Sequence, residues 1–328
     1  MKAYVVNQWL KGPNDLVLQN NVPEPQPKKG ELQIEVKAIG LNFFDTLMIQ
    51  GRYQIKPPFP FIPGGEFSGI VKKSTVPQYK AGDRVFGSGF AFAEVITTEA
   101  SKVLPMPKNI SFEEAAGLFI TWPTSYAALV LRAQLKAGEY CLVHAAAGGV
   151  GIAAVQIAKA LGAKVIATAG SAEKLEIAKK YGADYAINYR DNDWTDQVKK
   201  ITNGHGADVI YDPVGLIEQS TKAVAWNGRI LVVGFAKGTF EKLPTNRILL
   251  KNISVVGIHW GAYTKNEPEK IPEVWKGLFD LLESGRVKPA LYEKIYTLAN
   301  IPEGLNAINN RETYAKAIAT VGGHDSKI

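Results

Sequence analysis

Along the second half of the chain, short apolar runs alternate with longer stretches in which apolar side chains recur at helical spacing. Cys141-Leu142-Val143 is one such run and suits a strand covered on both faces. Val150, Ile152, Ala153, Val155, Ile157, Ala158 and Leu161 follow at helical spacing, leaving Gln156 and Lys159 for water. The same rhythm predicts further strands at 164–169, 185–188, 208–211, 230–235 and 253–258, with helices at 172–181, 198–201 and 218–226. Strand and helix alternating in this way make a doubly wound parallel α/β sheet.

The first 121 residues follow another pattern. Pro23, Pro25, Pro27, Pro57, Pro58, Pro60 and Pro63 break any helical periodicity, and Leu32-Gln33-Ile34-Glu35-Val36 alternates like a half-buried strand. A mostly β domain with long loops is expected there. Beyond residue 260 an amphipathic helix at 271–282 and a strand at 291–296 are predicted. The division is therefore 1–121 for the first domain, 122–260 for the parallel sheet, and 261–328 as a return to the first domain. A length of 328 residues with 46% hydrophobic content suits two cores.

Candidate chemistry begins at the end of the first parallel strand. Ala145-Ala146-Ala147-Gly148-Gly149-Val150-Gly151 joins that strand to the following helix with residues of little bulk. Backbone N–H groups at a helix N-terminus can then approach a pyrophosphate, and the helix can lie close to the strand. The run departs from G-x-G-x-x-G, because Ala146 holds the first glycine position and the spacing reads as Ala145-x-x-Gly148-x-x-Gly151. The second strand ends in Ala169-Gly170-Ser171, where enzymes that hold the free ribose hydroxyls of NAD place an Asp or Glu. Lys174 follows one helical turn later and can pair with a 2′-phosphate, so NADPH is the expected cofactor.

Charge and cysteine content narrow the setting. A net charge of +7 and a pI near 9.2 come without a dense basic run, so a basic enzyme surface is expected and nucleic acid is not a predicted partner. The lone Cys141 lies in a predicted buried strand, which excludes an internal disulfide and fits a reducing compartment. With no apolar run of membrane-spanning length and a strand-like start at Met1, a cytoplasmic protein is expected. The Ser326-Lys327-Ile328 end comes near a peroxisomal address, a reading left open. His144, His205, His259 and His324 are scattered without metal-ligand spacing.

Five stretches together resemble the zinc-independent medium-chain dehydrogenase/reductases, in particular the zeta-crystallin-like quinone oxidoreductases. They are Gly40-Leu41-Asn42-Phe43-Phe44-Asp45, Gln50-Gly51-Arg52-Tyr53, Pro63-Gly64-Gly65-Glu66, the turn at 145–151, and Asn188-Tyr189-Arg190. The resemblance implies a GroES-like catalytic domain beside a Rossmann domain, with the active site in the cleft between them, and a homodimer. It further implies that Tyr53, Ala147, Gly148, Gly149, Val150, Gly170, Lys174, Tyr189, Gly234, Phe235 and His259 match positions that contact NADPH, to which the residues themselves add Ser171 and Asn42. Asn42 is expected either to orient the nicotinamide or to cap a turn. A Gly-Lys pair common in that family reads Ala315-Lys316 here, which leaves a cofactor role for Lys316 open. Zinc-dependent relatives hold their metal with a Cys and a His in the segments that read Asn42 and Gly65 in this chain, so no metal is expected.

Without a metal the acceptor must be forgiving. Hydride addition to a simple ketone builds an alkoxide whose conjugate acid has a pKa near that of water, about 15.7, whereas a quinone builds a phenolate-like oxygen nearer about 10. The gap of roughly 6 units is worth about 8 kcal/mol at equilibrium. Quinones and conjugated enones can therefore be reduced with hydrogen-bond help, and Tyr53 is the candidate donor, with an aromatic wall as its other reading. Phe59, Phe61 and Trp260 are candidate pocket linings. Two alternatives accompany the quinone or enone reductase: an enoyl-thioester reductase, and a non-enzymatic NADPH-binding protein of RNA-binding or crystallin-like kind. The strand at 253–258, apolar on both faces, would be an exposed edge in a monomer, which also points to a homodimer.

Overall fold

In the computed structural model, which describes residues 1–322, the chain separates into two units. One comprises Met1–Ile120 and the chain from Pro289 onward, the other Thr121–Lys288. His324 and the Ser326-Lys327-Ile328 end lie outside the described residues.

The second unit is built on a six-stranded parallel sheet. From edge to edge its strands are Tyr185–Asn188, Lys164–Ala169, Tyr140–Val143, Ala207–Asp212, Val224–Val232 and Ser254–Gly257. This is the Rossmann order, reversing direction beside Tyr140–Val143, where such sheets open a ligand crevice at the carboxyl ends of their strands. Leu142, Ile166, Ile187, Ile210 and Ile230 form its core with Trp194 and Val198 from the helix Trp194–Ile201.

Three local expectations change here. The helix expected at 218–226 stops at Ser220, and the fifth strand starts early, at Val224. Its pairing jumps from Ala207 opposite Val224 to Val209 opposite Arg229, so the intervening residues bulge out. Asn227 turns the bulge at φ +62°, and a side chain on Gly228 would stand 2.6 Å from that of Val224. Gln156, expected to face water, is buried, and its amide exchanges two 3.0 Å hydrogen bonds with the backbone of Lys288. The helix Lys270–Glu283, assigned from sequence to the returning segment, belongs to the parallel-sheet unit. It buries Val274, Trp275, Leu278 and Leu281, and Gly277 admits Tyr126, whose hydroxyl would stand 2.0 Å from a Cβ there. The boundary therefore falls at residue 288 rather than 260.

The first unit is mostly β. Its sheet runs Leu291–Thr297, Lys316–Thr320, Glu31–Gly40, Glu66–Ser74, Arg84–Ser88 and Val103–Pro105, with Val95–Glu99 also paired to Glu31–Gly40. Leu32, Ile34, Val36, Ile39, Phe67, Val85 and Phe92 fill its core. Gln33, the polar position of the predicted alternation, is buried as well, donating from its amide to Glu24 and to the Pro25 carbonyl. The returning strand Lys316–Thr320 lies antiparallel to Glu31–Gly40, with Ile318 opposite Gly40. That register carries Lys316 to the segment after Gly40.

Candidate active site

In the parallel-sheet unit, the sequence-predicted residues lie at the carboxyl ends of the strands. Ala145 adopts φ +46° and closes the turn by accepting from the Gly148 N–H at 2.8 Å. The helix Gly149–Ala160 starts there with Gly148 as its cap. A side chain on Gly151 would stand 2.2 Å from the Ala145 carbonyl oxygen, so only glycine permits this approach of helix to turn. Gly148, Gly149 and Val150 are half-buried at the turn, whereas Ala147 is buried and contributes backbone alone. A helix N-terminus of this kind, with small residues around it, suits a pyrophosphate.

Beneath the turn lies a neutral polar cluster. The fully buried His144 contacts Thr168 Oγ1 at 2.8 Å through Nδ1 and Ser220 Oγ at 3.0 Å through Nε2, with its ring edge-on to Trp194. Burial holds its pKa below the usual histidine value, against the opposing pull of Asp212. Asp212 accepts backbone N–H groups from Val214, Gly215 and Leu216 at 2.7, 3.0 and 2.5 Å, fixing the loop after its strand. Cys141 is buried and its thiol pKa is pushed up to about 12, leaving it inert at neutral pH.

At the end of Lys164–Ala169, Ser171 caps the helix Ala172–Lys180, accepting from the Lys174 N–H at 3.4 Å. Lys174 thus sits in the first turn of that helix. A Cβ on Gly170 would stand 2.8 Å from the Tyr189 hydroxyl and 3.2 Å from Arg190 Nε, so both side chains converge on the same strand end. Arg190 is exposed, and its guanidinium makes no hydrogen bond or ion pair among the described residues. The sequence points to Tyr189 as a cofactor contact but not to Arg190. A cation two residues past the end of the neighbouring strand is the signal that marks it. Gly234 and Phe235 follow Val224–Val232, and His259 follows Ser254–Gly257, placing all three on the same rim of the sheet. Phe235 is exposed and packs edge-on against Phe240, and His259 is exposed at the start of the turn Trp260–Ala262.

The first unit contributes a buried charged cluster. Lys316, 5% exposed, pairs with Glu66, which is fully buried, and donates to Asn42 Oδ1 at 2.6 Å. Asn42 Nδ2 donates to Glu66 Oε1 and to the Gly40 carbonyl, both at 3.1 Å, and Glu66 Oε2 accepts the Ile120 N–H at 3.0 Å. Gly40 and Gly117 make room for these side chains: a Cβ would meet Glu66 Cγ at 2.7 Å and Lys316 Cγ at 2.8 Å respectively. Asn42 is therefore the cap of the helix Phe43–Ile49, and both its amide hydrogens are committed inside the unit, leaving none for a nicotinamide. Lys316 is committed in the same way and does not reach out to a phosphate.

Asp45 completes the cluster, accepting the Asn42 N–H at 2.8 Å through Oδ2, while its Oδ1 has no partner. Burial pushes its pKa up to about 7; the hydrogen bond from Asn42 and the charge of Lys316 oppose that shift, and Glu66 adds to it. The same helix carries Phe44, whose ring stacks on Tyr53 at 5.3 Å. Tyr53 is half-buried, and its hydroxyl makes no hydrogen bond among the described residues. Burial, then the charge of Asp45, raises its pKa, so the phenol stays protonated at neutral pH and free to donate. A Cβ on Gly65 would lie 2.2 Å from the Phe44 ring. The place where a residue-65 side chain would stand is thus filled by an aromatic ring.

Two family descriptions match these two folds: an alcohol dehydrogenase GroES-like domain over residues 28–108, and a zinc-binding dehydrogenase over residues 149–284. Quinone oxidoreductase-like protein 2 of Mus musculus is 36% identical over 319 residues, covering 95% of this chain and 90% of its own. The chain belongs to the quinone oxidoreductase branch of the medium-chain dehydrogenase/reductases. Human quinone oxidoreductase is 33% identical over 299 residues, covering 89% of each chain. The Escherichia coli quinone oxidoreductase solved with NADPH superposes with a TM-score of 0.86 at 34% identity, over 98% of this chain and all of the other. The branch is thus an oxidoreductase lineage on a GroES-like and Rossmann-type architecture. Among the described residues no helix is long and apolar enough to cross a membrane.

Proposed function

We propose that this protein is an NADPH-dependent reductase of quinones or conjugated enones that works by hydride transfer without a metal. The observation that carries the reading is the strand end at Gly170, where Tyr189 and Arg190 converge, Ser171 caps the helix that carries Lys174, and the strand itself ends without the Asp or Glu that would hold free ribose hydroxyls. The E. coli relative solved with NADPH supports the same cofactor. Bound NADPH supplies the hydride. The turn around Gly148 holds the pyrophosphate with backbone N–H groups, and Lys174 and Arg190 hold the 2′-phosphate by charge-assisted hydrogen bonds.

Zinc does not fit the donor set of the first unit. Asn42 has both amide hydrogens committed inward, Gly65 has no side chain, and the Phe44 ring fills the adjoining space. Negative charge developing on the acceptor oxygen therefore falls to hydrogen-bond donors, and the free Tyr53 hydroxyl is the one assigned to it. Acceptors that yield a phenolate or an enolate suit such help; simple ketones do not.

The test is NADPH oxidation with an ortho-quinone, a para-quinone, an alkyl enone and crotonyl-CoA, in protein stripped of metal by chelator. Turnover confined to the quinones or the enone supports the reading. Turnover confined to crotonyl-CoA would make the protein an enoyl-thioester reductase, and tight NADPH binding without any turnover would make it a binding protein. Equal efficiency with NADH would remove the cofactor assignment.

A homodimer is proposed with this function. Val255 and Val256 are only half-buried on the outermost strand, with Leu249, Leu250 and Phe240 exposed nearby in sequence. Pairing two such edges would remove unpaired backbone groups and cover apolar surface. Sedimentation giving a monomer at micromolar concentration would refute it. A cytosolic location is proposed on the reduced, buried state of Cys141.

A further inference from the structure

The first unit exposes a row of aromatic rings. Trp9 and Phe59 meet edge-to-face at 4.6 Å, Phe59 stacks on Phe61 at 5.8 Å, and Phe61 lies 6.5 Å from Phe90. Phe61 is buried, but Trp9, Phe59 and Phe90 are 39%, 41% and 48% exposed. Single exposed apolar side chains are ordinary on a protein surface, whereas rings in mutual contact form a patch that marks a binding surface. The row is continuous with the candidate active site. A Cβ on Gly51 would stand 2.7 Å from the Trp9 ring, and Gly51, at φ +67°, opens the turn that presents Tyr53. Tyr53 in turn stacks on Phe44. Trp9 therefore lies against the turn that carries Tyr53, which places the outer rings beside the proposed donor.

We propose that the row from Trp9 to Phe90 seats the apolar tail of the acceptor, so that the preferred substrate is a quinone or enone bearing a long alkyl or prenyl chain. The inference rests on the reductase reading above and specifies its substrate. A compact quinone would cover Phe44 and Tyr53 alone and leave the outer rings in water. A tail attached to the same head would cover them. The self-association surface proposed above lies on the other unit, which leaves this row to the substrate.

The experiment is kcat/KM for a series of 2-alkyl benzoquinones from methyl to decyl, with NADPH. Full burial of a methylene corresponds to about four-fold in binding, and a chain covered on one side to about two-fold. A rise of about two-fold per methylene over the first several carbons is expected, flattening in Phe59→Ser and in Phe90→Ser. In the wild-type protein dodecanol, which has a tail and no head, should compete with the decyl acceptor and not with the methyl one. Absence of turnover with every member, and with alkyl enones of the same chain lengths, would defeat the reductase reading itself. Turnover without chain-length dependence, or dependence unchanged in both variants with no competition by dodecanol, would overturn the tail seat alone. A change of sedimenting mass in the variants would reassign the row to self-association and also overturn it.

Discussion

The two units bury polar groups beneath their working surfaces in opposite ways. Under the nucleotide turn the cluster is neutral: His144, Thr168 and Ser220 satisfy one another, and burial keeps the imidazole uncharged. Behind the Phe44–Tyr53 stack it is charged: Lys316, Glu66, Asn42 and Asp45 share hydrogen bonds in a space opened by two glycines. A neutral network ties strands together without adding a field near an anionic ligand. A charged one fixes geometry more tightly, because Lys316 or Glu66 left without the other would be an ion in a poor solvent.

The largest test of that contrast is stability. Lys316→Met strands the Glu66 carboxylate and should lower the unfolding free energy by about 3–5 kcal/mol. His144→Leu leaves two hydroxyls without their partner and should cost about 1–3 kcal/mol. Urea denaturation of both variants gives the comparison, and equal losses would break it.

Next in size is the division of labour between the units. Tyr53→Phe keeps the ring and removes the donor, so kcat for a weakly oxidising acceptor should fall about ten-fold to a thousand-fold with NADPH affinity preserved. An unchanged kcat, measured where chemistry limits the rate, would make Tyr53 a wall. Lys174→Glu or Arg190→Glu should act the other way round, weakening NADPH by about 1–3 kcal/mol while the affinity for NADH changes little. Equal losses for both nucleotides would place these cations away from the 2′-phosphate.

The pH dependence of stability should carry opposite signs in the two units, each group contributing a slope of at most about 1.4 kcal/mol per pH unit. Asp45 is raised from 3.8 in the unfolded chain to about 7. Its protonated form is favoured by folding, so its contribution is complete below about pH 4 and is lost as pH rises through about 7. His144 is lowered from 6.5, so its contribution is present above that value and fades as pH falls below it. Asp45→Asn should flatten the decline that accompanies rising pH between about 4 and 7, and His144→Leu the decline on acidification below 6.5. The reverse assignment of slopes would sink this account.

The smallest effects concern two alanines in the left-handed region, Ala145 and Ala315, both at φ +46°. Glycine relieves the Cβ clash at some cost in chain entropy, so Ala145→Gly and Ala315→Gly should each stabilise by no more than about 1 kcal/mol in thermal unfolding. A clear destabilisation would mean that these methyl groups pack usefully where they stand.

Much of the parallel-sheet unit was legible in the chain itself. The strands Lys164–Ala169 and Tyr185–Asn188 coincide with their apolar runs, and the helix Gly149–Ala160 begins at the glycines, because these signals are local. The helix expected at 218–226 failed because Val224 and Ala225 are drawn into the sheet by Ala207, a partner that no local periodicity reveals. Gln156 read as a surface residue because its partner, the backbone of Lys288, lies far along the sequence. The helix Lys270–Glu283 gave its amphipathic character but not its owner, since an apolar stripe does not say which sheet it will cover.

The amino-acid sequence alone determined the order of strands and helices, the glycine turn, the missing carboxylate at Gly170, and the family resemblance, all of which depend on residues close together in the chain. Tertiary structure alone decided what Asn42, Asp45, Glu66 and Lys316 do. Their partnership joins Glu31–Gly40 and Glu66–Ser74 to the distant strand Lys316–Thr320, across a register set by Ile318 opposite Gly40. It likewise decided that Phe44 fills the space beside Gly65, and that Arg190 stands with Tyr189 at the end of a neighbouring strand. Packing in three dimensions turns a residue's chemical possibilities into one role, because burial and a partner's position determine which atoms remain free to react.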